Sequence, residues 1–171
     1  MYHFFSAYKI NPKHVGFFVG LFGIAGFLAA LVWQMLGATP CFLCLVERYL
    51  FLAAGIVALI SFRCPELCAQ RLLACSGTLW TCLSFTAFYH MGIQFRWFRA
   101  PSVCQASSLP LEDSVEALEA FLSSKTQVSC TAIEFTFLGL PPTFYLLGVA
   151  SCFTLLCFWA FVKTTSHPSS S

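Results

Sequence analysis

Charge is what this chain has least of. Asp, Glu, Lys and Arg make up 9% of its 171 residues, against about a quarter in an ordinary soluble domain. A water-soluble globule of this length needs a polar shell around its core, and these few charges cannot supply one. There is no run of Lys or Arg and the net charge is only +2, so the electrostatic footprint of a nucleic-acid-binding surface is missing. No internal repeat marks a solenoid. No His follows the Cys41-Phe42-Leu43-Cys44 segment, where Leu45 stands instead, and that excludes c-type haem attachment.

Apolar side chains are abundant: 58% of residues are hydrophobic and 20 are Phe. A helix that crosses the hydrocarbon of a bilayer needs about 20 mostly apolar residues. Four such stretches lie between the scarce charges, at about residues 15–36, 41–62, 72–93 and 139–162. The second is the informative one. The uncharged run from Tyr49 to Phe62 gives only about 21 Å of helix, too short to cross, whereas a start at Cys41 after Pro40 gives about 33 Å. Glu47 and Arg48 must then lie inside the outer layers of the membrane. A shallow or re-entrant helix beginning at Tyr49 is the alternative. The first span is expected to remain as an anchor, because its core is long and no small-x-small cleavage site follows.

The expected fold is therefore an all-α integral membrane protein, a four-transmembrane-helix bundle forming one domain over residues 1–171. Both tails and the Arg63 to Arg71 connection share one side, with Lys9, Lys13, Arg63, Arg71 and Lys163. Arg96, Arg99 and Lys125 lie on the other side, in a longer stretch. The denser basic side is expected to be cytoplasmic. The outer loop, about 94–134, is too long to be a mere connector. Within it Leu111, Val115, Leu118 and Leu122 recur at helical spacing, which predicts a short amphipathic helix on the membrane surface or packed on the loop itself. A disordered tail is expected over 166–171.

This topology sorts the ten cysteines. Cys41, Cys44, Cys104 and Cys130 fall on the outer side, where disulfides persist. Cys41 and Cys44 occupy the first turn of a helix, where unpaired N–H groups and the helix dipole stabilise a thiolate, the species that attacks disulfides or gives up electrons. Arg48 follows Cys44 by one turn on the same face. A guanidinium costs about 2.5 to 3.5 kcal/mol at the centre of a bilayer and less nearer its surface. There it can stabilise a Cys44 thiolate, or negative charge developing on an electron acceptor; otherwise it snorkels to phosphates or pairs weakly with Glu47.

Cys104 and Cys130, in a mobile loop, would close a ring of about 27 residues worth roughly 3 to 4 kcal/mol of chain entropy. They can equally exchange with the first pair. A zinc site made of all four outer cysteines also remains open. His90, near the outer end of the third span, is either a ligand contact or an interfacial anchor. Cys64, Cys68, Cys75, Cys82, Cys152 and Cys157 are read as structural, the seven-residue spacing of Cys68, Cys75 and Cys82 suiting one packed helix face; Cys64 with Cys68 could also bind metal or sense redox state.

The segment Pro40-Cys41-Phe42-Leu43-Cys44-Leu45-Val46-Glu47-Arg48-Tyr49 resembles the signature of the disulfide-bond-forming protein B family, DsbB. So do the four spans, the loop pair Cys104 and Cys130, and Phe137-Leu138-Gly139-Leu140-Pro141-Pro142 leading into the fourth span with Leu146-Leu147-Gly148 beyond. The resemblance implies an inner-membrane oxidoreductase that reoxidises a periplasmic, DsbA-like thioredoxin-fold dithiol oxidase. It passes the electrons to a membrane quinone, ubiquinone or menaquinone, the known route that keeps the periplasm oxidising. By position, Cys104 would form the mixed disulfide with the partner, Cys130 would exchange with Cys41, and Cys44 would meet the quinone with Arg48 supporting its charge and His90 nearby. A vitamin K epoxide reductase-type enzyme, which also couples loop and membrane cysteines in a four-helix bundle, is the nearest rival. A non-enzymatic protein that binds zinc or staples its loop is the other alternative.

Overall fold

The computed structural model describes residues 11–104, 128–133 and 135–166. Four helices account for most of them: α1 Pro12–Met35, α2 Phe42–Arg63, α3 Glu66–Gln94 and α4 Pro142–Ser166. All four are long and apolar enough to cross a membrane. The all-α four-span bundle expected from the sequence is the fold.

The helix ends are set by local chemistry that hydropathy does not weigh. α1 starts ahead of Val15 because the Asn11 side chain accepts the Lys13 N–H at 3.0 Å and Pro12 occupies the first helical position, where a missing N–H costs nothing. α3 runs for 29 residues and begins at Glu66 rather than Leu72. Pro65 precedes it, and Glu66 places negative charge in the first turn, where it complements the helix dipole. α4 starts at Pro142, after residues 137–140 fold into a tight hairpin. Phe137 and Leu140 exchange both backbone hydrogen bonds at 3.0 Å, and Leu138 and Gly139 have φ of 50° and 79°. Positive φ at both central residues is the signature of a type I′ turn. Ser166 is the last residue of α4, so it does not belong to the disordered tail expected over 166–171. The amphipathic helix expected around Leu111 to Leu122, and 167–171, lie outside the described residues.

Neighbours in sequence pack as neighbours in space, α1 on α2, α2 on α3 and α3 on α4, with lighter contact of α1 to α3 and α4. The interior is made of Val19, Ala54, Ala58, Leu73, Trp80, Leu83, Ala150, Cys157 and Ala160. Trp80 is its largest member and sits between Phe51 of α2 and Phe153 of α4, with ring centroids 5.0 and 4.8 Å away. The Ser76 hydroxyl donates to the Ala54 carbonyl at 3.0 Å, a cross-helix bond of the sort that steadies packing where the hydrophobic effect gives little. Large apolar side chains such as Phe18, Leu28, Phe85 and Leu155 face outward, as a lipid-facing surface requires.

Small residues let α1 and α2 close on each other. A Cβ placed on Gly23 would lie 2.7 Å from the Gly55 Cα. Gly23→Val is expected to lower the unfolding midpoint in detergent markedly, overpacking of this kind costing about 1 to 3 kcal/mol or more. Loosening between α1 and α2 would also move Arg48 away from its partners on α1; an unchanged midpoint would show that the crossing tolerates a wider gap.

Candidate active site at one end of the bundle

Cys41 is the N-cap of α2. Its backbone is extended, with φ −74° and ψ 173°, and its sulfur accepts the Cys44 N–H at 3.3 Å. Sulfur here takes the place that an Asp or Ser oxygen fills at most caps. The positive end of the helix therefore acts most directly on Cys41, while Cys44 lies one turn further in, with its sulfur 2.8 Å from that of Cys41.

A histidine from α3 stands behind the cap. His90 Nε2 is 3.6 Å from Cys41 Sγ and His90 Nδ1 is 3.0 Å from Glu47 Oε1. Glu47 and His90 are 5% and 1% exposed, so the carboxylate is buried with the histidine as its ionisable neighbour. A buried carboxylate is expensive unless it is paired and hydrogen-bonded. The sequence placed His90 at the outer end of its span, and the structure seats it inside the site instead of at an interface. Glu47 was the residue missed. Its natural partner in the sequence was the adjacent Arg48, whose side chain points elsewhere.

Arg48 turns towards α1. One terminal nitrogen donates to Gln34 Oε1 and the other to the Ala30 carbonyl at 3.1 Å, while its buried Nε has no hydrogen-bond partner among the described residues. Arg48 and Cys44 line the same cavity, of about 440 Å³, as their one-turn spacing implies. The cavity walls are largely apolar and aromatic, with Phe27 and Trp33 of α1, Phe51 of α2, Phe135 and Leu146. Its polar residues include Cys44, Glu47, Arg48, His90 and Gln94. Gln94 is fixed by the Thr143 hydroxyl, which donates to its Oε1 at 2.6 Å and ties α3 to the start of α4.

The loop pair reaches the same place. Cys104, at the end of a single 3-10 turn Ser102–Cys104, is joined to Cys130 by a disulfide with Cα atoms 5.0 Å apart. Far from standing free in a mobile loop, both are 1% exposed and pack with Cys41, Leu43 and Ile93 in one buried cluster. Two bonds converge on the Cys104 carbonyl, from the Cys130 N–H at 3.0 Å and the Ser129 hydroxyl at 3.1 Å. With Cys104 and Cys130 bonded to each other, the four-cysteine zinc arrangement is not assembled.

The other cysteines are elsewhere. Cys157 is buried in the bundle, Cys75, Cys82 and Cys152 are exposed along the helices, and Cys68 is exposed in the first turn of α3. The expected seven-residue stripe therefore faces outward instead of packing inside. At the far end of the bundle a hydrogen bond with Cys68 holds the Cys64 thiol above its ordinary pKa. A protonated thiol is the less reactive form.

Four membrane-length helices, a free Cys-x-x-Cys pair at the start of one of them, and a disulfide packed against that pair are the features of a membrane thiol-disulfide oxidoreductase. The family model for Disulfide bond formation protein DsbB matches residues 12–160. That covers most of the chain, and the chain belongs to this family. No individual curated protein matches it. The protein is thus a multi-pass membrane protein of disulfide bond formation, as the resemblance in its sequence implies.

Proposed function

We propose that the protein reoxidises a periplasmic, DsbA-like thioredoxin-fold dithiol oxidase and delivers the electrons to a membrane quinone, ubiquinone or menaquinone. The observation that carries this reading is the gathering of both cysteine pairs in one cluster beside a cavity lined by the Arg48 side chain. The proposed orientation puts this end in the periplasm and both termini in the cytoplasm, at the inner membrane, on the basic-residue bias noted above.

The exchange balances as follows. A thiolate of the reduced partner attacks Cys104, forming a mixed disulfide and freeing Cys130. Cys130 attacks Cys41 of an oxidised Cys41–Cys44 pair and frees Cys44. The partner's second thiol releases Cys104, which then recovers Cys130 and leaves Cys41 and Cys44 as the dithiol. The partner has lost two electrons and the Cys41–Cys44 pair has gained them. A closed Cys104–Cys130 disulfide with free Cys41 and Cys44 is the arrangement this last step would leave.

The residues at the cavity suit a quinone. Its walls would accept an apolar ring and tail, and the Arg48 Nε, buried without a partner among the described residues, would be a donor for a carbonyl oxygen. When bound, the quinone supplies a two-electron, two-proton sink dissolved in the same phase as the helices. A partner that is itself strongly oxidising can be regenerated only by a stronger acceptor. Arg48 would hold the negative charge that develops beside Cys44. His90, oriented by Glu47, would take the Cys41 proton as the disulfide re-forms, since its Nε2 is the ring nitrogen nearest that sulfur.

The test is direct. Catalytic amounts of the protein in detergent should drive quinone reduction, followed by its absorbance, when a reduced thioredoxin-fold dithiol is supplied. Cys130→Ser should hold the partner on Cys104 as a mixed disulfide cleaved by reductant. Absence of both quinone reduction and the trapped complex would end this reading.

A further inference from the structure

We propose that the reduced site is also a binding site for a thiophilic divalent cation, Zn2+ being the representative, with Cys41, Cys44 and His90 as its ligands. Their ligand atoms all lie within 4.8 Å of one another. This is a different set from the four outer cysteines, and it takes one ligand from α3.

Three features of the geometry point to a metal. First, the donors are two sulfurs and an imidazole nitrogen, the set that zinc prefers over harder cations. Second, tetrahedral zinc with ordinary Zn–S and Zn–N bonds holds sulfur and nitrogen about 3.6 Å apart, and Cys41 Sγ and His90 Nε2 are 3.6 Å apart. The two sulfurs, at 2.8 Å, would separate by about 1 Å to reach the spacing of two thiolates on one ion. Cys44 is half-buried and lines the cavity, so its side chain has room to turn.

Third, His90 is already held as metal-binding histidines are. Its Nδ1 bonds the Glu47 carboxylate at 3.0 Å, leaving Nε2 to face the sulfurs. A carboxylate behind the ring fixes the tautomer and raises the basicity of the ligating nitrogen, and its loss commonly costs about 10- to 100-fold in metal affinity. The cavity beside the three residues gives an entry path and leaves the fourth coordination position to water.

Binding releases two thiol protons and changes no oxidation state: the cation takes two thiolates and the neutral imidazole. It therefore competes with the Cys41–Cys44 disulfide. An oxidised pair has no thiolate to give, and a metal-bound pair cannot close. The cation would capture only the reduced enzyme and stop it before its electrons leave. The site stands on these three residues whether or not a quinone is the acceptor.

The experiment uses full-length Cys104→Ser/Cys130→Ser protein in detergent, so that the loop cysteines contribute nothing. After reduction and removal of reductant, Zn2+ is titrated against a chromophoric chelator, and Co2+ is added separately as a spectroscopic probe. One tight equivalent of Zn2+ is expected for the reduced protein and none after Cys41 and Cys44 are oxidised. Glu47→Gln should weaken binding by about 10- to 100-fold, and His90→Phe by more. Cys64→Ser/Cys68→Ser should leave it unchanged.

Equal binding by oxidised protein, or loss of the ion in Cys64→Ser/Cys68→Ser, would overturn the proposal. If His90→Phe does not fold, the Co2+ spectrum decides. Tetrahedral bands with two-thiolate charge transfer support the site, whereas an octahedral spectrum, or one with four thiolates, refutes it. Quinone reduction by the unmodified protein is measured apart from these titrations, so failure of one reading is distinguishable from failure of the other.

Discussion

Cys44→Ser is expected to oxidise at most one equivalent of the partner dithiol and then stop, with no quinone reduced. The Cys104–Cys130 disulfide, closed and packed against Cys41, is untouched by the change and can still accept one pair of electrons. Those electrons then have nowhere to go. A serine hydroxyl cannot form the second half of a disulfide with Cys41, and it stays protonated at pH values where a thiol ionises. Turnover should fall to the rate measured without protein. The measurement is stopped-flow oxidation of the partner together with quinone absorbance. The side chain is small and half-buried, so the unfolding midpoint should stay near that of the parent. Continued multiple turnover would show that electrons leave by a route without Cys44, and the order of exchange proposed above would be wrong.

The spans were legible in the sequence because charge is so scarce that each charged residue limits the helix beside it. The short uncharged run after Arg48 forced α2 to start near Cys41, and the cap geometry of Cys41 is what the chain adopts. What hydropathy could not give were the helix ends. These depend on one side-chain acceptor at Asn11, one acid at Glu66, and a two-residue turn at Leu138 and Gly139. Membrane-crossing patterns average over such details.

The site was half legible. Two cysteine pairs and a cation one turn from Cys44 are local in sequence, or are joined by a shared side of the membrane. The Glu47–His90 contact spans 43 residues and depends on which faces α2 and α3 turn to each other. A buried acid and a histidine near the same end of neighbouring spans were the available signal. The adjacent Arg48 obscured it, although neighbouring residues on a helix point apart. Helix start alone also did not say which sulfur the dipole serves. The hydrogen bond from the Cys44 N–H assigns that role to Cys41, so in the proposed reaction Cys44 would rely on the cavity it shares with Arg48.

Arg48→Ala is expected to lower quinone-coupled turnover by about 10²- to 10³-fold, the usual cost of removing one donor that stabilises developing charge. The guanidinium has two jobs that must be separated. Its terminal nitrogens bind Gln34 and the Ala30 carbonyl and so fasten α2 to α1, while its Nε has no partner among the described residues. Gln34→Ala removes one fastening and leaves the charge in place. Gln34 is exposed, so this change should alter stability by no more than about 0.5 kcal/mol and turnover by about twofold. Arg48→Lys keeps a cation but loses the planar fork, and it should fall between the parent and Arg48→Ala, with the larger change in KM for quinone. Capture of the partner on Cys104 in the Cys130→Ser background should be the same for all three variants, because the loop disulfide exchanges before electrons reach the cavity. If Gln34→Ala lost as much turnover as Arg48→Ala, or if partner capture fell in step with it, Arg48 would be a structural clasp between two helices and the charge beside Cys44 would need another source of stabilisation.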